Sequence, residues 1–368
     1  MNDPRIVELA NKIVADSLNV QQSWNVWIET IDVPEVFATA LIAATVDRGA
    51  IPFVDTRQSE TLRQIYLQYN EEAYQRFGKS ETQKMSSMQA HIFVDGSRNN
   101  RWMSDIPPQK TEWMGKYYRR PVREERLRRK WMYMKFPNSS MAQQAGMSTV
   151  AFEDFYFDVC GMDYKRLTAA MEPLRDYLLK ADKVSIIGPD TELEFSIKDM
   201  PIVLCGGWNN LPDGEAFTAP VRKSANGKIR FNIPTIFQGV QFSDIMLEFR
   251  NGQIIDAHAG SATSTKQLNS ILDLDEGARY LGEWGIGVNY NITRPMLDIL
   301  FDEKMAGSIH LTPGNAYDDA DNKNRSQIHW DMVMGGEGVD IFVDDDLFRK
   351  DGRFVPEYLH GLNPENLR

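Results

Sequence analysis

The chain has 368 residues, too many for one ordinary core, and its 42% hydrophobic and 25% charged content belongs to a globular protein with no compositionally biased tail. A formal net charge of −11 excludes a nucleic-acid polyanion as the main partner, because phosphate binding needs an excess of Lys and Arg. Cys160 and Cys205 lack CxxC spacing and the density of a disulfide framework, so they read as buried thiols in a reducing cytoplasm.

In chain order, Asp3 followed by Pro4 predicts a helix start, with Ile6, Leu9, Ala10, Ile13 and Val14 at helical spacing behind it. This opening lacks the basic and apolar regions of a signal peptide, and no apolar run is long enough to span a membrane. The segments 24–31, 33–50 and 51–56 read as strand, helix and strand, a βαβ unit. A helix over ETLRQIYLQYNEEAYQRF and the strand-like HIFVDG (91–96) continue the alternation, which predicts a parallel-sheet α/β domain over 1–182. No GxGxxG follows its first strand, so a dinucleotide site has no support. Residues 116–135 are strongly basic, and with Glu124 and Glu125 among them they read as a solvated helix face. Ser148 is a candidate N-cap for a helix whose Phe152, Phe155 and Tyr156 form a core stripe.

From 183 to 368 the texture becomes short strands and turns: KVSIIG, TELEFSI, GKIRFNI and IMLEFRNGQIIDAHAG. Asn251-Gly252 lies between alternating apolar residues, a hairpin signal. This half is expected to be a β-rich α+β domain with helices around 264–281 and 293–305.

The candidate chemistry lies there. His329 and Asp331, two apart in IHWD, project to one face of an extended segment. His310 sits on a strand running into a Pro-Gly turn. Glu215 follows the turn Pro212-Asp213-Gly214, and Glu283 stands among Gly282, Trp284, Gly285 and Gly287, where a carboxylate demands a partner. Glu303 lies in a predicted helix after Pro295, where Asp302 and Lys304 read equally well as charged surface. Taken singly, most of these residues have an ordinary structural explanation. Together they make an acidic two-histidine set suited to divalent ions. His91, His258 and His360 read as structural.

The blocks DPRIVELANKIVADSLNV, LPDGEAFTAP, GEWGIGVN, LFDEKMAGSIH and NRSQIHWDMV, in this order, resemble the thermophilic-type metalloaminopeptidases, the family of aminopeptidases T and S. The resemblance implies two divalent ions, zinc or cobalt with manganese or magnesium as alternatives. It assigns them Glu215, Glu283, Glu303, His310, His329 and Asp331, with Glu283 as the bridge, and it makes Tyr317 the active-site tyrosine. It further implies a homodimer that removes amino-terminal residues from peptides by way of a metal-bridging water. Thr312-Pro313 and the segment DDADNKNRS depart from the family pattern, which puts substrate choice in the loop between His310 and His329. Two other activities compete. One is hydrolysis of a small amide on the same fold; the other is ring cleavage by a single ferrous ion on His310, His329 and Asp331.

Overall fold

A computed structural model describes residues 3–367. Contacts divide the chain into two units: residues up to Met162 with Gly207–Pro212, and Asp163–Gly206 with everything from Asp213 onward. The division after Met162 precedes the expected boundary near 182 because the helix Tyr164–Leu178 buries Leu167, Met171, Leu174 and Leu178 within the second unit. The change of texture at 183 marks the end of that helix.

The first unit is built on β1 (Asn25–Ile31), β2 (Ile51–Arg57), β3 (Ala90–Asp95) and β4 (Lys130–Lys135), with the short strand Asn210–Leu211 added at one edge. All pairs are parallel, in the order β2-β1-β3-β4 followed by the short strand. After its first residue β1 is buried throughout, as a central parallel strand covered on both faces must be. Helix α1 (Pro4–Asn11) starts where Asp3 accepts from the Arg5 backbone N–H at 2.9 Å, and α2 (Glu35–Asp47) completes the expected βαβ unit.

Two expectations here need correction. The helix expected after β2 is two, α3 (Ser59–Gln68) and α4 (Glu71–Ser86), because Asn70 turns extended and its side chain caps Ala73. The basic stretch is helical only as far as Leu127; from Lys130 it is β4. Ser148 caps the helix Thr149–Gly161 as expected, with its Oγ accepting from Ala151.

The second unit holds an eight-stranded antiparallel sheet that includes Lys183–Gly188, Thr191–Ser196, Asn226–Phe231 and the hairpin Ile245–Arg250 with Gln253–His258. Asn251 (φ 50°) and Gly252 (φ 83°) are both left-handed, the turn that this dipeptide favours. Helix is scarcer than expected. Residues 264–281 give a helix at Ala262–Leu272 and one 3-10 turn at Glu276–Arg279, and 293–305 give only Ile299–Asp302. Pro295 and the left-handed Leu297 (φ 57°) prevent an earlier start, and Asp298 caps the short helix.

A second antiparallel sheet in this unit carries the candidate site. Its strands are β5 (Val203–Cys205), β6 (Glu215–Thr218), β7 (Leu281–Gly287), β8 (Ile309–Pro313) and β9 (Met332–Met334), in the order β9-β8-β7-β6-β5. Every residue of β6, β7, β8 and β9 is buried. The polar side chains on these strands therefore cannot rely on bulk water and need partners within the fold.

Candidate metal centre

Strand register gathers the site. Glu215 pairs with Gly287, Gly285 with His310, and Glu283 with Thr312. Opposed residues share a face and alternate residues return to it, so Glu215, Glu283, His310 and Thr312 project from one face of the sheet. Trp284 points to the other face and packs edge-on against Phe195 at 5.4 Å. Gly285 explains the close approach: a Cβ there would lie 2.0 Å from His310 Cε1, so the imidazole crosses the strand only because the side chain is missing.

His310 Nε2 lies 2.9 Å from Glu283 Oε1 and 3.6 Å from Glu215 Oε2. On the other side of Glu283, Oε2 lies 3.8 Å from His329 Nε2, which is itself 3.4 Å from Asp331 Oδ1. Glu215, Glu283 and His310 thus form one group whose ligand atoms lie within 4.8 Å of one another, and Glu283, His329 and Asp331 form another. Glu283 belongs to both. His329 Nδ1 donates to the Asn315 carbonyl at 2.8 Å, which fixes the tautomer and leaves Nε2 for the cluster. Thr312 Oγ1 donates to Asp331 Oδ1 at 2.5 Å and sets the carboxylate's orientation.

Glu303 enters neither group. It follows the helix Ile299–Asp302, and its carboxylate accepts from Lys304 Nζ. It remains close enough to Glu215, Asp331 and His310 to feel their charge. The alternative reading of Asp302 and Lys304 as charged surface does not hold, since both are buried. Asp302 accepts from the Met296 N–H at 2.6 Å, and burial pushes its carboxyl up to about 7. Lys304 donates to Glu215 Oε1 at 2.7 Å as well as to Glu303. An isolated lysine next to a glutamate carries no sequence signal that it will point inward, so sequence reasoning missed it. Tyr317 is 38% exposed, with its ring 4.4 Å from that of His329. The other histidines have other partners: His91 contacts Glu29, His258 pairs with Asp256, and His360 contacts the Val355 carbonyl.

The electrostatics fit a cation site. Burial alone would lower the His310 pKa, but the Glu283 hydrogen bond and the Glu215 charge outweigh it and hold the imidazole at about 9. His329 is likewise opposed by burial and raised to about 10 by Asp331 and Glu283. Burial works against ionised Asp331 too, yet the two histidines and Thr312 keep it well below the usual carboxylate range. Burial pushes Glu283 and Glu303 upward. Glu215 Oε2, Glu283 Oε2 and His310 Nδ1 are buried without a hydrogen-bond partner. Two of these three are oxygens of the carboxylates that face the histidines, and divalent ions there would satisfy them.

Comparison with known proteins follows the same lines. A family description, thermophilic metalloprotease (M29), matches residues 2–361. Aminopeptidase T of Thermus aquaticus is 33% identical over 165 residues, 40% of this chain and 38% of that protein. Aminopeptidase 2 of Geobacillus stearothermophilus is 31% identical over 170 residues, 41% and 39% of the two chains. The aligned part thus spans about two-fifths of each of these curated relatives. Among solved structures, wild-type AmpT from Thermus thermophilus shares the fold over 96% of this chain and 99% of its own, with TM-score 0.81 and 22% identity. The 2,5-dihydroxypyridine dioxygenase of Pseudomonas putida KT2440 shares it over 98% and 99%, with TM-score 0.61 and 12% identity. The likeness to both structures establishes an α/β unit with a parallel sheet joined in sequence to a β-rich unit, and the match over residues 2–361 establishes that the chain belongs to the thermophilic metalloprotease (M29) family.

Proposed function

We propose that this protein is a metal-dependent aminopeptidase. In this reading Glu215, Glu283, Glu303, His310, His329 and Asp331 hold two divalent ions, with Glu283 shared between them, and the enzyme removes amino-terminal residues from peptides. The observation that carries the reading is the position of Glu283, one oxygen toward His310 and the other toward His329. Mixed carboxylate and imidazole donors suit zinc or cobalt, with manganese or magnesium as substitutes. When bound, such ions would supply Lewis acidity and lower the pKa of a bound water toward neutrality.

The chain's own groups do the rest. Asn315 and Thr312 fix His329 and Asp331 before substrate arrives, so little reorganisation is left for the reaction itself. Tyr317 is assigned the hydrogen bond to the developing oxyanion or the leaving amine. The buried walls of β7 and β8 keep bulk water away.

Ring cleavage on a single iron is less well supported. It needs His310, His329 and Asp331 as one triad, whereas among the described residues the two histidines fall into different groups and meet only through Glu283. The test is to supply Zn²⁺ or Co²⁺ to the metal-free protein and assay aminoacyl-anilides and dipeptides beside N-acylated controls. Cleavage of free-amine substrates alone is expected. Equal cleavage of the blocked substrates would point to the small-amide reading, and oxygen consumption with one iron per chain would point to the dioxygenase. The homodimer is part of the proposal, and light scattering on the purified protein checks it.

A further inference from the structure

We propose that Lys304 is a positioning residue of the metal centre: its ammonium occupies one oxygen of Glu215 and one of Glu303, so that each carboxylate offers a single oxygen to an ion. This rests on the proposed metal centre and extends it to a residue outside the ligand set.

The geometry is specific. Lys304 Nζ donates to Glu215 Oε1 at 2.7 Å and to Glu303 Oε1, while Glu215 Oε2 has no hydrogen-bond partner and lies 3.6 Å from His310 Nε2. One oxygen of Glu215 is thus taken, and the other is turned toward the cluster. Lys304 is 1% exposed, and its ammonium also feels Asp213. Its backbone is tied down as well, since its N–H donates to the Phe301 carbonyl and its own carbonyl accepts from Asn289. A buried ammonium held by two carboxylates has no low-energy exit, because leaving would strand its charge in the protein. It therefore acts as a fixed cation rather than a placeholder that entering ions displace.

A carboxylate with both oxygens available can chelate an ion, whereas one with an occupied oxygen binds through the other alone. Lysine suits this task because its ammonium is compact and carries three rotatable donors. The lysine also offsets part of the charge of the four site carboxylates Glu215, Glu283, Glu303 and Asp331, which stand with two histidines and two incoming ions.

The experiment compares wild type, Lys304→Met and Lys304→Arg, each freed of metal and titrated with Co²⁺, whose visible absorption weakens as coordination number rises. Wild type should take up the ion with intense visible bands; if it binds no divalent ion, the metal-centre reading itself fails. In Lys304→Met, Glu215 is expected to chelate, so the band intensity per bound Co²⁺ should fall at least about twofold, and affinity at the site that includes Glu215 should change about tenfold or more. Lys304→Arg, which keeps a buried donor cation, should recover part of the spectrum. Unchanged spectrum and affinity in a folded Lys304→Met protein would overturn the proposal. A crystal structure of metal-loaded wild type decides the matter independently should the variants not fold. Nζ still on Glu215 Oε1 with only Oε2 on the ion supports the proposal, and a displaced Lys304 or a chelating Glu215 refutes it.

Discussion

At the residue scale, Glu283 and Gly285 make opposite demands on one strand. In the proposed metal centre Glu283 must be present because both groups of candidate ligands share it, and Gly285 must lack a side chain because His310 fills that space. Replacing Glu283 by Gln is expected to abolish binding of both ions, whereas Asp331→Asn should spare the group of Glu215, Glu283 and His310. Metal content after dialysis against a defined low concentration of Zn²⁺ separates the two, and a Glu283→Gln protein that still holds one ion per chain would remove the bridge. Gly285→Ala forces the buried His310 imidazole out of its place, so a destabilisation of about 1–3 kcal/mol is expected. Metal affinity should also drop by roughly tenfold or more, as second-layer changes at metal sites commonly do. Calorimetric melting of the metal-free form and titration of the ion read these effects separately. The sequence makes the ligand types legible, because a carboxylate among glycines and tryptophan demands a partner. It does not reveal Lys304, because burial of a lysine depends on contacts across the fold between residues far apart in the chain.

At the scale of elements, the segment carrying His329 and Asp331 is held from two sides. Trp330 between them is 2% exposed, stacks at 4.5 Å and 14° on Phe237, and meets Phe242 at 4.9 Å. Both phenylalanines belong to the small hairpin of Thr235–Phe237 and Val240–Phe242. On the other flank the Trp330 backbone N–H donates to the Pro313 carbonyl at the end of β8. The hairpin thereby fixes which face of the extended segment carries the two candidate ligands. Phe237→Ala is expected to cost about 2 kcal/mol of stability through lost stacking and burial, and to weaken metal binding without touching a ligand. A lower melting temperature with unchanged ion affinity would separate the hairpin from the site. This support is not legible from local pattern, since His-x-Asp on a strand says which face is shared but not what packs behind it. Elements with a strong local cause are legible: Asp3 with Pro4, Ser148 and Asn251-Gly252 each act through a backbone conformation that the residue itself favours. The long helix expected after β2 fails for the same reason, because Asn70 caps more readily than it continues a helix.

For the whole molecule, the proposed metal centre would couple stability to pH in opposite directions with and without ions. His310 and His329 are raised from the ordinary 6.5 to about 9 and about 10, so in the metal-free protein their contribution to stability is fully present below pH 6.5 and is lost as pH rises through that upper range. Glu283 and Glu303, raised by burial, work in the same direction, because their ionised forms become less tolerable as pH climbs. Asp331, held low, works the other way, and its contribution disappears only in strong acid. The melting temperature of metal-free protein should therefore decline between pH 7 and 10. Divalent ions reverse the trend, since they need both imidazoles unprotonated and replace the protons as the charges that keep four carboxylates together. The gain in melting temperature on adding Zn²⁺ is then expected to grow from pH 6 to pH 9. Binding at pH 7 should release at least roughly two protons per chain, one from each imidazole, together with any proton that Glu283 or Glu303 gives up. Calorimetric titration of Zn²⁺ in two buffers that differ in heat of protonation measures this release directly. Heats that coincide in the two buffers would mean that the imidazoles are already neutral before the ions arrive, and the electrostatic account of the site would have to be abandoned.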